Sequence, residues 1–158
     1  MLESQKITYK IYNHIALHSV NDSIKLRGNI PGAHTKNLFF KNKKNNFFLF
    51  SCIENTNIDL KKLNKKLSLG NISFAKEKYL DEMLNVRPGA VTPYGLLNDK
   101  ENKIKFFLDN QILSFEYVNF HPLDNRFTIS VLTTEFVNFL KKNNIFANIV
   151  DFDNYMII

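Results

Sequence analysis

Two apolar runs, Leu38-Phe39-Phe40 and Phe47-Phe48-Leu49-Phe50-Ser51-Cys52-Ile53, flank the polar tetrad Asn42-Lys43-Lys44-Asn45. Phenylalanine-rich runs separated by turn-forming residues predict a β-hairpin whose strands enter a core. The tetrad at its tip reads either as a solvated turn or as a basic loop that meets RNA. A length of 158 residues suits one domain with one sizeable core, and the 44% hydrophobic content is enough to fill it. With 15 Phe, 6 Tyr and no Trp, that core must be built mainly from phenylalanine. The lone cysteine, Cys52, excludes an internal disulfide and a cysteine-based zinc cluster; inside an apolar run it reads as a buried, inert thiol.

Elsewhere the pattern alternates between strand and helix signals. Residues 7–13 alternate apolar and polar, as a half-buried strand does. Ser19 is placed to cap a short helix ending at Leu26 and closed by Gly28. Residues 58–67 put Leu60, Leu63 and Leu67 on one helical face and lysines on the other. A second helix is expected over 74–84, capped by Ser73 and stopped by Val86-Arg87-Pro88-Gly89. Strands are expected at 94–98, 103–109, 115–120, 127–132 and 147–152, with a turn at Asn98-Asp99 and a helix at 134–143 capped by Thr133. Hairpins interleaved with helices imply a mixed α/β (α+β) fold: a single domain with a central, largely antiparallel twisted sheet flanked by helices.

No apolar stretch has the length of a membrane span, and the first residues carry no signal-peptide pattern, so a soluble cytoplasmic protein without membrane contact is expected. The formal charge of +6 suits an anionic partner, although the bias toward Lys and Asn can equally reflect the composition of the encoding genome.

Three segments could carry chemistry. In Pro31-Gly32-Ala33-His34-Thr35-Lys36-Asn37-Leu38, Lys36 and Asn37 sit at the mouth of the strand expected from Leu38 onward. There Lys36 is either a solvated lysine or a fixed point charge for a phosphate or carbonyl oxygen. In Pro88-Gly89-Ala90-Val91-Thr92-Pro93-Tyr94-Gly95, two prolines and two glycines stiffen a loop in which the amides of Ala90, Val91 and Thr92 could face outward together as oxyanion donors. The alternative is an ordinary helix-to-strand connection. In Val118-Asn119-Phe120-His121-Pro122, alternation puts Asn119 and His121 on one strand face, and His121 is held extended by the proline after it. A lone histidine is either structural or an acid–base group. His14 and His18 stand four apart without a third ligand, so no metal site is expected, and His34 has no metal-ligand spacing either. No Walker loop, dinucleotide fingerprint, zinc-protease motif or catalytic triad spacing occurs.

Taken together, these three segments resemble the free-standing prolyl-tRNA editing proteins of the YbaK/prolyl-tRNA-synthetase-associated editing superfamily. The resemblance runs from about residue 7 to residue 151, with the segments in family order. His34-Thr35-Lys36-Asn37-Leu38 is closer to the branch that acts on alanyl-tRNA(Pro) than to the cysteinyl branch. The resemblance implies a trans-editing deacylase that hydrolyses the ester of Ala-tRNA(Pro). Discrimination by a methylene or two is worth only about 1–3 kcal/mol, so a synthetase that admits a smaller amino acid needs a second, hydrolytic sieve. By resemblance, Lys36, Gly89 and His121 are the catalytic positions, and Asn37, Ala90, Val91, Thr92, Pro93 and Asn119 contact the substrate. Hydrolysis by water, assisted by the terminal ribose hydroxyl, is implied, without metal or organic cofactor. The implied partners are the acceptor end of tRNA(Pro) and prolyl-tRNA synthetase. Serine or cysteine as the amino acid removed, or a non-catalytic module that holds aminoacyl-tRNA or a synthetase, are the alternatives.

The chain departs from the family pattern in four places. Few residues precede the first strand, where relatives begin with a helix. His14-Ile15-Ala16 replaces His-Pro-Pro, and Asn85 stands where glycine is common. Lys76, Lys78 and Tyr79 occupy the helix that carries an arginine in relatives and lies near the acceptor stem.

Overall fold

The computed structural model describes residues 2–16 and 19–158. Among them, nine strands form one sheet: β1 (Tyr9–Asn13), β2 (Ala33–Lys41), β3 (Phe47–Ile53), β4 (Ser73–Phe74), β5 (Ile104–Asp109), β6 (Tyr117–Phe120), β7 (Phe127–Leu132), β8 (Ala147–Asp151) and β9 (Met156–Ile157). Their order is β1-β7-β6-β2-β3-β5-β8-β9, with β4 also on β2. The pairings β1–β7, β6–β7, β2–β3, β2–β4 and β8–β9 are antiparallel; β2–β6, β3–β5 and β5–β8 are parallel. The sheet is therefore mixed and mostly antiparallel, flanked by α1 (Val20–Leu26), α2 (Leu60–Leu67), α3 (Glu77–Leu84) and α4 (Thr133–Lys142). No helix among the described residues is long and apolar enough to cross a membrane.

The hairpin of β2 and β3 forms as its sequence predicts, with Leu38 opposite Phe50 and Phe40 opposite Phe48. Alternation sends Phe40, Phe48, Phe50 and Cys52 into one apolar layer, where α2 inserts Leu63. Phe39, Phe47 and Leu49 go into the other, against α3, α4 and Tyr94. The Phe50 and Phe107 rings stack at 4.6 Å, and Phe120 meets Phe136 at the same spacing. Ring pairs of this kind add roughly 0.5–1.5 kcal/mol beyond burial alone.

Local chemistry moves four boundaries. β2 begins at Ala33, so Lys36 and Asn37 lie inside the strand, paired with Cys52 and Ser51, rather than at its mouth. Residues 94–98 are not a strand. Pro93 enters a 3₁₀ segment (Pro93–Asn98) whose preceding residue, Thr92, accepts the Tyr94 amide on its hydroxyl; proline at the first helical position has no amide to leave unpaired. Ser73 does not cap α3, because Ser73 and Phe74 pair with Lys41 and Phe40 as β4; the helix starts at Glu77. Thr133 is the first residue of α4 rather than its cap, and its hydroxyl donates to the Phe115 carbonyl at 2.6 Å. Asn85 ends α3 at φ 53°, the left-handed conformation that asparagine tolerates best after glycine, so this departure from the family pattern keeps the local backbone.

One feature of β2 positions the site. On the edge away from β3, its first residues pair with β6 (Ala33 with Val118, His34 with Asn119) and its last two with β4. Residues 35–38 have no strand neighbour between those two short ladders.

Candidate active site

A cleft of about 240 Å³ opens along that gap in the sheet. Lys36 and Asn37 line it from β2, Gly89 and Val91 from the loop after α3, and His121 from the end of β6. Thr35, Leu38 and Glu54 complete the hairpin wall, and Ser19 and Val20 close it from the start of α1.

Lys36 is half-buried, and its ammonium donates to the backbone carbonyl of Thr56. The turn that offers this carbonyl is fixed by Asp109. One carboxylate oxygen of that fully buried residue accepts the Ile53 amide at 3.1 Å and the other accepts the Gln111 amide at 3.0 Å. Asn37 accepts the Ser51 hydroxyl on Oδ1 at 2.5 Å, so its NH₂ is the end without a partner among the described residues. Glu54 takes both guanidinium nitrogens of Arg27 in a fork, at 2.5 and 2.8 Å, tying the end of α1 to the end of β3. The two side chains are only 12% and 10% exposed.

The loop over the cleft is a β-turn of type II character. Arg87 accepts the Ala90 amide at 3.0 Å, Pro88 occupies the second position, and Gly89 has φ 84° at the third. The Ala90 amide therefore closes the turn and does not face outward with its neighbours. The amides of Val91 and Thr92 donate to no backbone carbonyl among the described residues. Of these residues, Val91 and Gly89 line the cleft, while Ala90, Thr92 and Pro93 are buried behind it.

His121 points its Nδ1 at the Phe127 carbonyl, 2.8 Å away. A carbonyl can only accept, so Nδ1 carries the proton and Nε2 keeps a lone pair. Burial, reinforced by His14 and opposed by the Phe127 contact, holds its pKa below the usual histidine value. The His14 ring lies edge-on to it at 6.2 Å and is itself held by Thr128 and the Ile15 carbonyl. Asn119, although on the same strand face, does not reach the cleft. Its amide donates to the carbonyls of Pro31 (2.9 Å) and Ala33 (3.2 Å), binding β6 to the approach of β2. His34 likewise turns to the Ile30 carbonyl at 2.6 Å, and burial lowers its pKa. His18 lies outside the described residues. Among the described residues no group of three or more His, Cys, Asp or Glu could hold a metal ion.

Sequence reading passed over the cleft residue Glu54 and the Arg27 that grips it. They stand 27 residues apart in unremarkable contexts, and only the β2–β3 register and the fold of α1 bring them together.

A second depression, at the far end of β2, collects Lys41, Lys43, Lys76 and Lys78 around Tyr79 and the exposed Phe74. The Lys41 and Lys78 ammonium groups lie 5.4 and 4.7 Å from the Tyr79 ring centre. Lysine charge interleaved with aromatic faces is the surface that single-stranded nucleic acid favours.

Residues 14–139 match the model of the aminoacyl-tRNA editing domain. A Xenopus laevis relative, prolyl-tRNA synthetase associated domain-containing protein 1, is 38% identical over 145 residues, covering 89% of this chain and 86% of its own. The prolyl-tRNA editing protein ProX of Acetoanaerobium sticklandii is 29% identical over 143 residues, covering 90% and 87%. A solved structure described as a candidate trans-editing enzyme for prolyl-tRNA synthetase superposes with a TM-score of 0.69 at 20% identity, over 95% of this chain and 90% of that one. That likeness supports the fold.

Proposed function

We propose that this chain, which belongs to the aminoacyl-tRNA editing domain family, is a trans-editing deacylase that hydrolyses the ester of Ala-tRNA(Pro). The observation that carries the reading is the convergence of Lys36, Asn37, Gly89, Val91 and His121 on one small cleft in a sheet gap. The acceptor end of tRNA(Pro) is the partner in this reading, with prolyl-tRNA synthetase as the source of the mischarged substrate.

In the reaction, water adds to the ester carbonyl, the acyl–oxygen bond breaks, and the proton shed by water ends on the ribose oxygen. The products are free alanine and tRNA with an unmodified 3′ end. Negative charge grows on the carbonyl oxygen as water adds. The Lys36 ammonium and the unengaged Val91 amide are the groups suited to stabilise it, and one such donor is typically worth about 3 kcal/mol. Asn37 offers its NH₂ for positioning. The Nε2 lone pair of His121 can accept a hydrogen bond from the attacking water or the terminal ribose hydroxyl. No protein nucleophile is required, in keeping with a buried Cys52. The lysine groove begins five residues beyond Lys36 on β2, about 17 Å away at the usual rise per residue, which suits a run of nucleotides leading to the ester.

Purified protein should release alanine from Ala-tRNA(Pro) and leave Pro-tRNA(Pro) largely intact. Serine and cysteine esters assayed alongside define the amino acid removed. Inertness toward all three mischarged esters would overturn the reading.

A further inference from the structure

Lys36 sits opposite Cys52 in the β2–β3 ladder, and the Glu54 amide donates to the His34 carbonyl at 2.9 Å, continuing the register by two residues. Lys36 and Glu54 are therefore diagonal neighbours on one face, with backbones about 7–8 Å apart. At that distance a lysine and a glutamate commonly pair, but here each has its own partner. Lys36 is drawn to the Thr56 carbonyl, and Glu54 is drawn into the Arg27 fork. The cleft thus keeps a cationic pole and an acidic pole apart. Among the described residues that line it, Glu54 is the one acid.

An α-aminoacyl ester has the matching polarity, with an ammonium group one carbon away from the carbonyl. We propose that Glu54 binds the substrate's α-ammonium group while Lys36 faces the ester carbonyl, so that the cleft selects esters bearing a free, charged α-amine. This inference rests on the deacylase reading above. The Arg27 fork occupies one lone pair on each carboxylate oxygen, and a carboxylate has about four acceptor positions. Glu54 can therefore accept a further charge-assisted bond without releasing Arg27. Arg27 is then a positioning residue that aims the carboxylate, and burial of both side chains limits competition from water.

The test compares two esters on the same tRNA(Pro): alanyl, and lactyl, in which a hydroxyl replaces the ammonium at nearly equal size. Each enzymatic rate is divided by the uncatalysed rate of that ester, because the ammonium also activates the ester in water. Wild-type protein should prefer alanyl by about tenfold or more, the range of a charge-assisted hydrogen bond. Glu54→Gln should lose that preference by slowing the alanyl ester. Arg27→Gln, which keeps the carboxylate but no longer aims it, should weaken the preference in the same direction, with the lactyl rate little changed. Equal handling of both esters by wild type overturns the inference and leaves the deacylase reading standing, and this comparison needs no variant. A folded Glu54→Gln that keeps the full preference also overturns it. Inertness of wild type toward both esters sinks the deacylase reading and this inference with it.

Discussion

Lys36 and Cys52 face each other directly across the β2–β3 ladder, and their surroundings give them opposite fates. The lysine stem reaches the cleft rim, where its charge meets the Thr56 carbonyl and solvent. The thiol is sealed in the phenylalanine layer at 0% exposure. Replacing Lys36 with Ala removes a charge and one hydrogen bond from a half-buried position, without opening a core cavity. Deacylation of Ala-tRNA(Pro) should fall by at least about a hundredfold. The melting temperature, read by circular dichroism, should move by no more than about 2 °C.

Burial, partly offset by the Lys36 charge, pushes the Cys52 thiol up to about 12. A thiol so held carries almost no thiolate at neutral pH. A chromogenic thiol reagent should leave the native protein unlabelled and react with one equivalent after unfolding. Prompt labelling of the native state with loss of activity would contradict the assignment of Cys52 to packing alone.

Both His34 and His121 have pKa values depressed below the unfolded value, chiefly by burial. The unfolded chain binds protons more readily, so their contribution to stability is fully present above about pH 6.5. It is lost as the pH falls below that value toward the folded pKa values. Denaturant midpoints should therefore drop between neutral and mildly acidic pH, and His34→Gln should flatten part of that slope.

The elements legible in the sequence were those with a strong local pattern, even where the partner is distant. Strands β1 and β7, expected at 7–13 and 127–132, pair across the chain. The hairpin announced itself through Phe runs and a polar turn, and α2 through Leu60, Leu63 and Leu67. The start of β2 was hidden because Thr35, Lys36 and Asn37 border an open cleft, where a strand has no need of apolar alternation. Tertiary pairing overrode local preference at Ser73, a plausible helix cap that instead extends a sheet edge. The cleft residues on motifs could be anticipated. Glu54 could not, since only strand register makes it a neighbour of Lys36, and Asn119 could be placed on the correct face without revealing that the Pro31 and Ala33 carbonyls would capture it.

Gly32 has φ 100°, and a Cβ there would come within 2.5 Å of the Tyr117 carbonyl oxygen. Both terms act against Gly32→Ala: the backbone conformation is strained for any L side chain, and the obstacle is rigid backbone of β6. The substitution should destabilise by about 2–3 kcal/mol, which for a chain of this size lowers the melting temperature by roughly 5–10 °C.

The lysine groove should report itself through salt. Lys76 and Lys78 are exposed on or beside α3, so replacing both with Ala leaves the core intact. If the two charges neutralise RNA phosphates, the slope of log affinity against log salt should flatten by about 1.5. Unchanged salt dependence would remove this groove from the RNA path.

The interruption along β2 has a further meaning for how such a cleft can diversify. It lies on one edge of β2 between two short ladders, so the backbone pairings to β6 and β4 at either end set its extent along the strand. Walls supplied by side chains such as Val20, Leu38 and Val91 can be exchanged one at a time, while the slot itself is ruled by backbone and cannot be closed by a point substitution. A recess of this origin lets the fit to a bound group drift independently of the backbone frame that holds it.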